Sequence, residues 1–283
     1  MMAIVFALGS SLGWGVSDYM GGLKSRSLPM LTVLLVSQGT ALAVLAAVLA
    51  AEGGMPPDNG FLLAAAVAGT GEMIGIAALY RGLARGTMSI VAPISNAAPV
   101  VPLSAAAVLG EVPGTMQLGG VVLVLSGILL TSIERSKCAP GRRASVMYGL
   151  LSALGFGTFF TAMNFASEGA VPWALFLARL TSVTVLSLAA LLFVLFKRSC
   201  LAVSRSRLPA LAAIGLLIVA ADAMFAFAST LGLLSIVAVL AGLHPVVTVA
   251  LARLHLRERI GSTRYAGIAI CLLGVLAITG RAG

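Results

Sequence analysis

SIVAPISNAAPVVPLSAAAVLGE, Ser89 to Glu111, is an apolar helical stretch interrupted by Pro93, Pro99 and Pro102. A relative of it lies downstream as SIVAVLAGLHPVVTVALARLHLRE, Ser235 to Glu258. Both open on SIVA, carry PVV in the middle and close on a glutamate. Behind each glutamate come two glycines at the same spacing: Gly120 and Gly127 after Glu111, Gly267 and Gly274 after Glu258. The spacing from PVV to the glutamate differs by one residue, so a single insertion separates the copies. A long pattern stated twice in one chain reads as a tandem duplication.

The composition decides the solvent. Of 283 residues, 60% are hydrophobic and only 10% are charged, against about 25% charged in soluble domains. The membrane is the natural environment. The 32 glycines fit helices that approach closely in lipid. A net charge of +9 in a soluble protein would suggest nucleic acid. Here the basic residues sit between apolar segments, without interleaved aromatics, so no nucleic-acid partner is expected. They read as topology signals and contacts to membrane lipids. Cys138, Cys200 and Cys271 are far apart and match no metal-ligand spacing, so free thiols and no metal or cofactor are expected. The opening MMAIVFALGSSLGWG lacks a basic n-region and reads as a first spanning helix, not a cleaved signal.

A spanning helix needs about 20 apolar residues. Ten segments meet this, at about 3–22, 30–50, 61–83, 87–109, 115–133, 145–166, 173–196, 210–231, 234–255 and 263–280. The expected fold is an all-α integral membrane protein of ten transmembrane helices. Two five-helix copies cover 3–133 and 145–280. Sixteen of the 18 Lys and Arg fall in the odd-numbered connections, from Lys24 and Arg26 to Arg253, Arg257, Arg259 and Arg264. Arg179 lies inside the seventh segment, and Arg281 alone belongs to the opposite face. The positive-inside rule then places both termini outside the cytoplasm.

Five helices per copy is an odd number, so the second copy enters the membrane upside down. Corresponding connections should then carry opposite charge bias, and they do. Lys24 and Arg26 follow the first helix, whereas Glu168 and no base follow the sixth. Glu52 and Asp58 follow the second helix, whereas four bases follow the seventh. Inverted repeats of this kind mark secondary transporters, which bind substrate near the midplane between the repeats.

The paired LGWG (12–15) and LGFG (154–157), the two PVV segments, the glutamates behind them and the glycine pairs resemble one known family. It is the drug/metabolite transporter superfamily, in its bacterial members built from two EamA domains. The resemblance covers nearly the whole chain. It implies an inner-membrane carrier that exports small metabolites such as amino acids, often driven by ion gradients. Many members of that family carry an Arg early in the second helix of each copy. Here the second copy has Arg179, while Ser37 and Gln38 stand near the corresponding place in the first.

Ionisable groups inside membrane helices are costly and therefore candidates for function. Glu72 and Asp222 fall mid-helix in corresponding segments, about one turn out of register when Gly86 is aligned with Gly232. Desolvation disfavours a charged carboxylate, which suits a group that must bind and release a proton. Both are candidate proton-coupling residues, and protonated, locally bonded carboxyls are the structural alternative. The substrate-binding candidates are Trp14, Tyr80, Ser95, Asn96, Asn164, Arg179 and His244. Ser95 and Asn96 flank the prolines, where small polar groups replace lost backbone bonds or face a substrate. Arg179 either snorkels or holds an anion. Histidine is the usual proton-binding side chain near neutral pH, which makes His244 a candidate, with a neutral bonded core side chain as the structural alternative. Asp18 is expected to cap or to pair with Lys24 or Arg26 at the helix end. Glu111 and Glu258 read as structural groups at helix ends.

The leading expectation is a secondary transporter that exports a small organic solute by alternating access. A proton-coupled exporter of cationic drugs is the second, supported by Glu72. An integral-membrane enzyme is the third, and the dispersed carboxylates and two His give it no clustered site.

Overall fold

The computed structural model describes residues 1–25, 27–53, 55–85, 88–111, 113–132, 142–197, 204–256 and 261–279. They form twelve α-helices, with no strand among the described residues: α1 (Met2–Ser25), α2 (Met30–Glu52), α3 (Asn59–Arg85), α4 (Met88–Ser95), α5 (Val100–Val108), α6 (Thr115–Ser132), α7 (Arg142–Gly169), α8 (Val171–Lys197), α9 (Leu208–Leu231), α10 (Leu234–Ala241), α11 (His244–Leu256) and α12 (Ser262–Thr279). Among the described residues, six stretches are long and apolar enough to cross a membrane: Met30–Glu52, Asn59–Leu79, Arg143–Gly169, Val171–Leu192, Arg205–Leu231 and Leu234–Leu251. Thr115–Leu130 and Tyr265–Ile278 are shorter apolar helices. Leu188, Leu191, Leu272 and Leu276 are more than half exposed on the outer surface, an arrangement that suits lipid and not water.

The segments expected as continuous at 87–109 and 234–255 are each broken in two. The first breaks over 96–99, between α4 and α5; the second breaks at Gly242 and Leu243, between α10 and α11. The first interruption follows from Pro99, which has no N–H to continue the ladder. Short-range bonds keep the remaining groups satisfied: Ala97 N–H to Ile94 O at 3.1 Å, Ala98 N–H to Ser95 O at 3.1 Å and Val101 N–H to Ala98 O at 3.1 Å. Pro102 and Pro245 fall in the first turns of α5 and α11, where a missing N–H costs nothing. The two breaks touch: a Cβ on Gly242 would lie 2.5 Å from Pro99 Cγ. Three prolines against one predict a stronger bend in the first segment than in the second. The second segment is broken too, just before Pro245, which likewise has no N–H to continue the ladder.

Matched close contacts relate the two halves, α1–α6 and α7–α12. A Cβ on Gly15 would meet Val247 and His244 O; a Cβ on Gly157 would meet Val101 and Ala98 O. Gly13 packs on Ala221, and Gly155 packs on Gly75. Gly69 abuts the Ala178 carbonyl, and Gly215 abuts the Ser37 carbonyl. Each pair exchanges the same two positions between copies. The LGWG and LGFG glycines are therefore seats for the broken helices. The glycine pairs behind the glutamates meet each other, Gly120 on Gly274 and Gly127 on Gly267, so α6 and α12 pack antiparallel. Cys271 is buried in that seam, its Sγ 3.6 Å from Val124 O.

Candidate functional site: a buried charge network between the halves

Gly69 and Gly215 determine what α8 and α2 can reach. Because each glycine admits a neighbouring backbone carbonyl, the residues following those carbonyls, Arg179 after Ala178 and Gln38 after Ser37, project between α3 and α9. Arg179 is 3% exposed. Its guanidinium is ion-paired to Glu72 at 3.0 Å and to Asp222. It also donates to the side-chain oxygen of Gln38. Ser182, one turn along α8, donates to Glu72 Oε2 at 2.9 Å and to Gly69 O at 3.1 Å. Trp14 Nε1 of α1 donates to the other Asp222 oxygen at 2.9 Å. Five helices, α1, α2, α3, α8 and α9, thus meet in one polar network inside an apolar molecule.

The charges do not balance. Two carboxylates face one guanidinium, which leaves one negative charge in excess when all three are ionised. Glu72 is 12% and Asp222 3% exposed, so water screens them little. The desolvation of such groups is offset only by good geometry and further hydrogen bonds, and Trp14, Ser182 and Gln38 provide the latter. The guanidinium Nε has no acceptor among the described residues, which leaves one buried donor unused.

Trp14 joins this network to an aromatic cluster. Its ring lies 5.7 Å from Phe160, 5.7 Å from Phe225, 6.1 Å from Phe159 and 6.1 Å from the His244 imidazole. His244 is the first residue of α11 and 30% exposed, not a core histidine, and its Nδ1 is 2.9 Å from Asp18 Oδ2. Asp18 therefore pairs with His244, not with Lys24 as expected; Arg26 lies outside the described residues. The expectation failed because the break before α11 carries an imidazole to α1, a contact no local pattern shows.

The other candidates are placed apart from the charges. Ser95 is buried and shares a 2.6 Å hydrogen bond with Ser152 of α7. Asn96 opens the break after α4, and Asn164 is half-buried on α7 outside the network. The Tyr80 side chain and Glu258 lie outside the described residues. Arg179 does not snorkel. Sequence reading named Gln38 only as the place where an Arg is lacking, and it missed Ser182. Gln38 became legible once Gly69–Ala178 and Gly215–Ser37 showed that α2 and α8 are equivalent. A groove of about 450 Å³ runs between α3 and α7, lined by Leu63, Val67, Ile74, Leu151 and Leu154 among others. It is an apolar outer surface that includes none of the charged residues.

A family profile, that of the EamA-like transporter family, matches this chain twice, over residues 1–133 and 143–280. The chain belongs to the EamA-like transporter family. Its members are transporters, and the multi-pass membrane reading of the apolar helices agrees with that membership. A solved structure described only as "Crystal structure of protein" shares the fold at a TM-score of 0.78 and 18% identity, covering 99% of this chain and 97% of that one. No curated protein matches the sequence. The fold is thus of the drug/metabolite transporter type, and the two profile matches fall on the two copies inferred from the SIVA and PVV segments.

Proposed function

We propose that this EamA-family protein is a secondary transporter of the bacterial inner membrane that exports a small organic metabolite such as an amino acid. The Glu72–Arg179–Asp222 network is its central binding and coupling site. The single observation that carries this reading is a buried guanidinium bridging carboxylates from α3 and α9, with Trp14 on one of them. An amino acid needs one cationic and one anionic partner. Arg179, with its unused Nε donor, suits a carboxylate, and Glu72 and Asp222 suit an ammonium group.

The protein reads as ten spans in two inverted five-helix repeats at 3–133 and 145–280, with the broken α4–α5 and α10–α11 each forming one span. Antiparallel packing of α6 on α12 supports the inversion, as do the exchanged glycine contacts. Both termini are placed in the periplasm by the distribution of basic residues. Transport proceeds by rocking of one repeat against the other around the site. Trp14 and His244 line the approach, with Ser95, Asn96 and Asn164 as further substrate contacts.

The excess negative charge favours a second reading, proton-coupled export of cationic compounds. One proton or one organic cation neutralises the cluster, so the two would compete for it. A proteoliposome screen with the twenty standard amino acids and with tetraphenylphosphonium tests both readings. Saturable amino-acid flux abolished by Arg179→Gln supports the first. Flux of the cation alone, dependent on a pH gradient, supports the second. Flux of neither class in protein that is folded and reconstituted would overturn both.

A further inference from the structure

Residues that the repeat makes equivalent sit at opposite ends of the molecule, and they are not equally buried. α1 packs antiparallel to α9, with Gly9 on Met224 and Gly13 on Ala221; α7 packs antiparallel to α3, with Gly155 on Gly75 and Gly82 on Tyr148. α1 and α3 run the same way because α2 returns between them, so the C-terminal turns of α1 and α7 form opposite mouths. At the α1 mouth Asp18 is 52% exposed, His244 is 30% exposed and Ser25 is half-buried. Their equivalents at the α7 mouth are Phe160 at 4%, Ala98 at 4% and Ser167 at 3%. The broken helices agree. α10 is buried along its whole length, whereas Ile90, Ala92 and Ile94 of its counterpart α4 are only half-buried. One mouth is open and the other is sealed by α10, α5 and the end of α7.

Glu111 bridges the sealed mouth. It follows α5 of the first half, yet its carboxylate caps α10 of the second, accepting from Leu234 N at 2.9 Å, Ser235 N at 3.1 Å and Ser235 Oγ at 2.8 Å. The residue before α10, Leu233, offers no side-chain cap. The first orphan N–H groups of that helix are therefore satisfied from the other repeat, and the carboxylate also complements the positive end of the helix. Opening this mouth requires α5 and α10 to part, and with them the carboxylate from its donors.

We propose that Glu111 is a latch that holds the α7 mouth shut, a state-dependent bond and not a static helix cap; this rests on the alternating-access reading above. Releasing it shifts the population toward the form open at that mouth. Losing a cap of about 1 kcal/mol changes a two-state ratio about fivefold.

The test uses two conservative reporters, Ser25→Cys and Ser167→Cys, each in the full chain. Thiol alkylation is read site by site by mass spectrometry in proteoliposomes. With Glu111 intact, the thiol at 25 labels fast and the thiol at 167 slowly. In Glu111→Gln, labelling at 167 should rise at least about fivefold while labelling at 25 falls. Ser235→Ala, which removes one of the three bonds and leaves the carboxylate, should move both rates the same way by less. It provides the readout if Glu111→Gln fails to fold. Unchanged labelling at 167 in both variants overturns the latch, and so does a rise at both sites, which marks loosened packing. The same assay with the twenty standard amino acids, and with tetraphenylphosphonium, separates the two ideas. If a transported solute shifts the two rates in opposite directions but Glu111→Gln does not, the latch fails and the carrier reading stands. If Glu111→Gln shifts them and no solute does, the latch stands and the carrier reading fails.

Discussion

Arg179 is the residue on which the site depends, because without it the two buried carboxylates lose the one cation paired to them among the described residues. Removing one partner of a buried ion pair typically costs about 3–5 kcal/mol. Arg179→Gln should therefore lower the thermal unfolding midpoint in detergent far more than a substitution at a lipid-facing residue such as Leu188, which is 57% exposed. Adding Glu72→Gln and Asp222→Asn to the same chain should recover most of that loss, since no uncompensated charge remains, yet transport should stay abolished. Recovery of transport in the neutral triple variant would show that the charges serve stability alone. Glu72 and Asp222 were legible in the sequence because a carboxylate is conspicuous within twenty apolar residues. Their meeting at Arg179 was not. Repeat alignment sets them one turn apart, and only the three-dimensional packing of α3 and α9 on α8 brings both within reach of one guanidinium.

At the scale of the element, the repeat glycines were readable as marks of duplication before their purpose was visible. The structure gives each a neighbour. A Cβ on Gly155 would stand 2.5 Å from Gly75 N, whereas one on Gly39 would meet nothing within 4 Å. Gly155→Ala should therefore destabilise by about 1–3 kcal/mol through overpacking, and Gly39→Ala should be neutral or stabilise by about 0.5–1 kcal/mol as a helix-interior glycine is removed. Unfolding midpoints of the two purified variants check this pair, and equal shifts would contradict the seating of α7 on α3. The break of the fourth segment was legible from Pro99. The break at Gly242 obeys the same rule, since Pro245 has no N–H for the Ala241 carbonyl, and the Pro99 ring of the other half packs against it. Glu111 reads in sequence as a group at a helix end with local partners. Its donors, however, lie on the far side of the repeat boundary, beyond any local signal.

For the whole molecule, the duplication, the helical class and the membrane environment came from composition and spacing. The asymmetry between the two mouths did not, since equivalent positions differ in burial only once both halves are packed. The basic-residue distribution predicts that a C-terminal alkaline phosphatase fusion is active and a fluorescent-protein fusion is dark; the reverse pattern would invert the orientation while leaving the repeat intact. The central claim is that the charge network between the halves couples ion movement to solute movement. Glu72→Gln and Asp222→Asn retain shape and hydrogen bonding but cannot titrate. The most direct measurement is solute flux in proteoliposomes, with and without an imposed pH gradient, for these two variants beside the parent chain. The account predicts that at least one variant still exchanges solute across the membrane at equilibrium but no longer responds to the gradient. If both variants follow the gradient as the parent does, neither carboxylate couples, and the network only holds α3, α8 and α9 together.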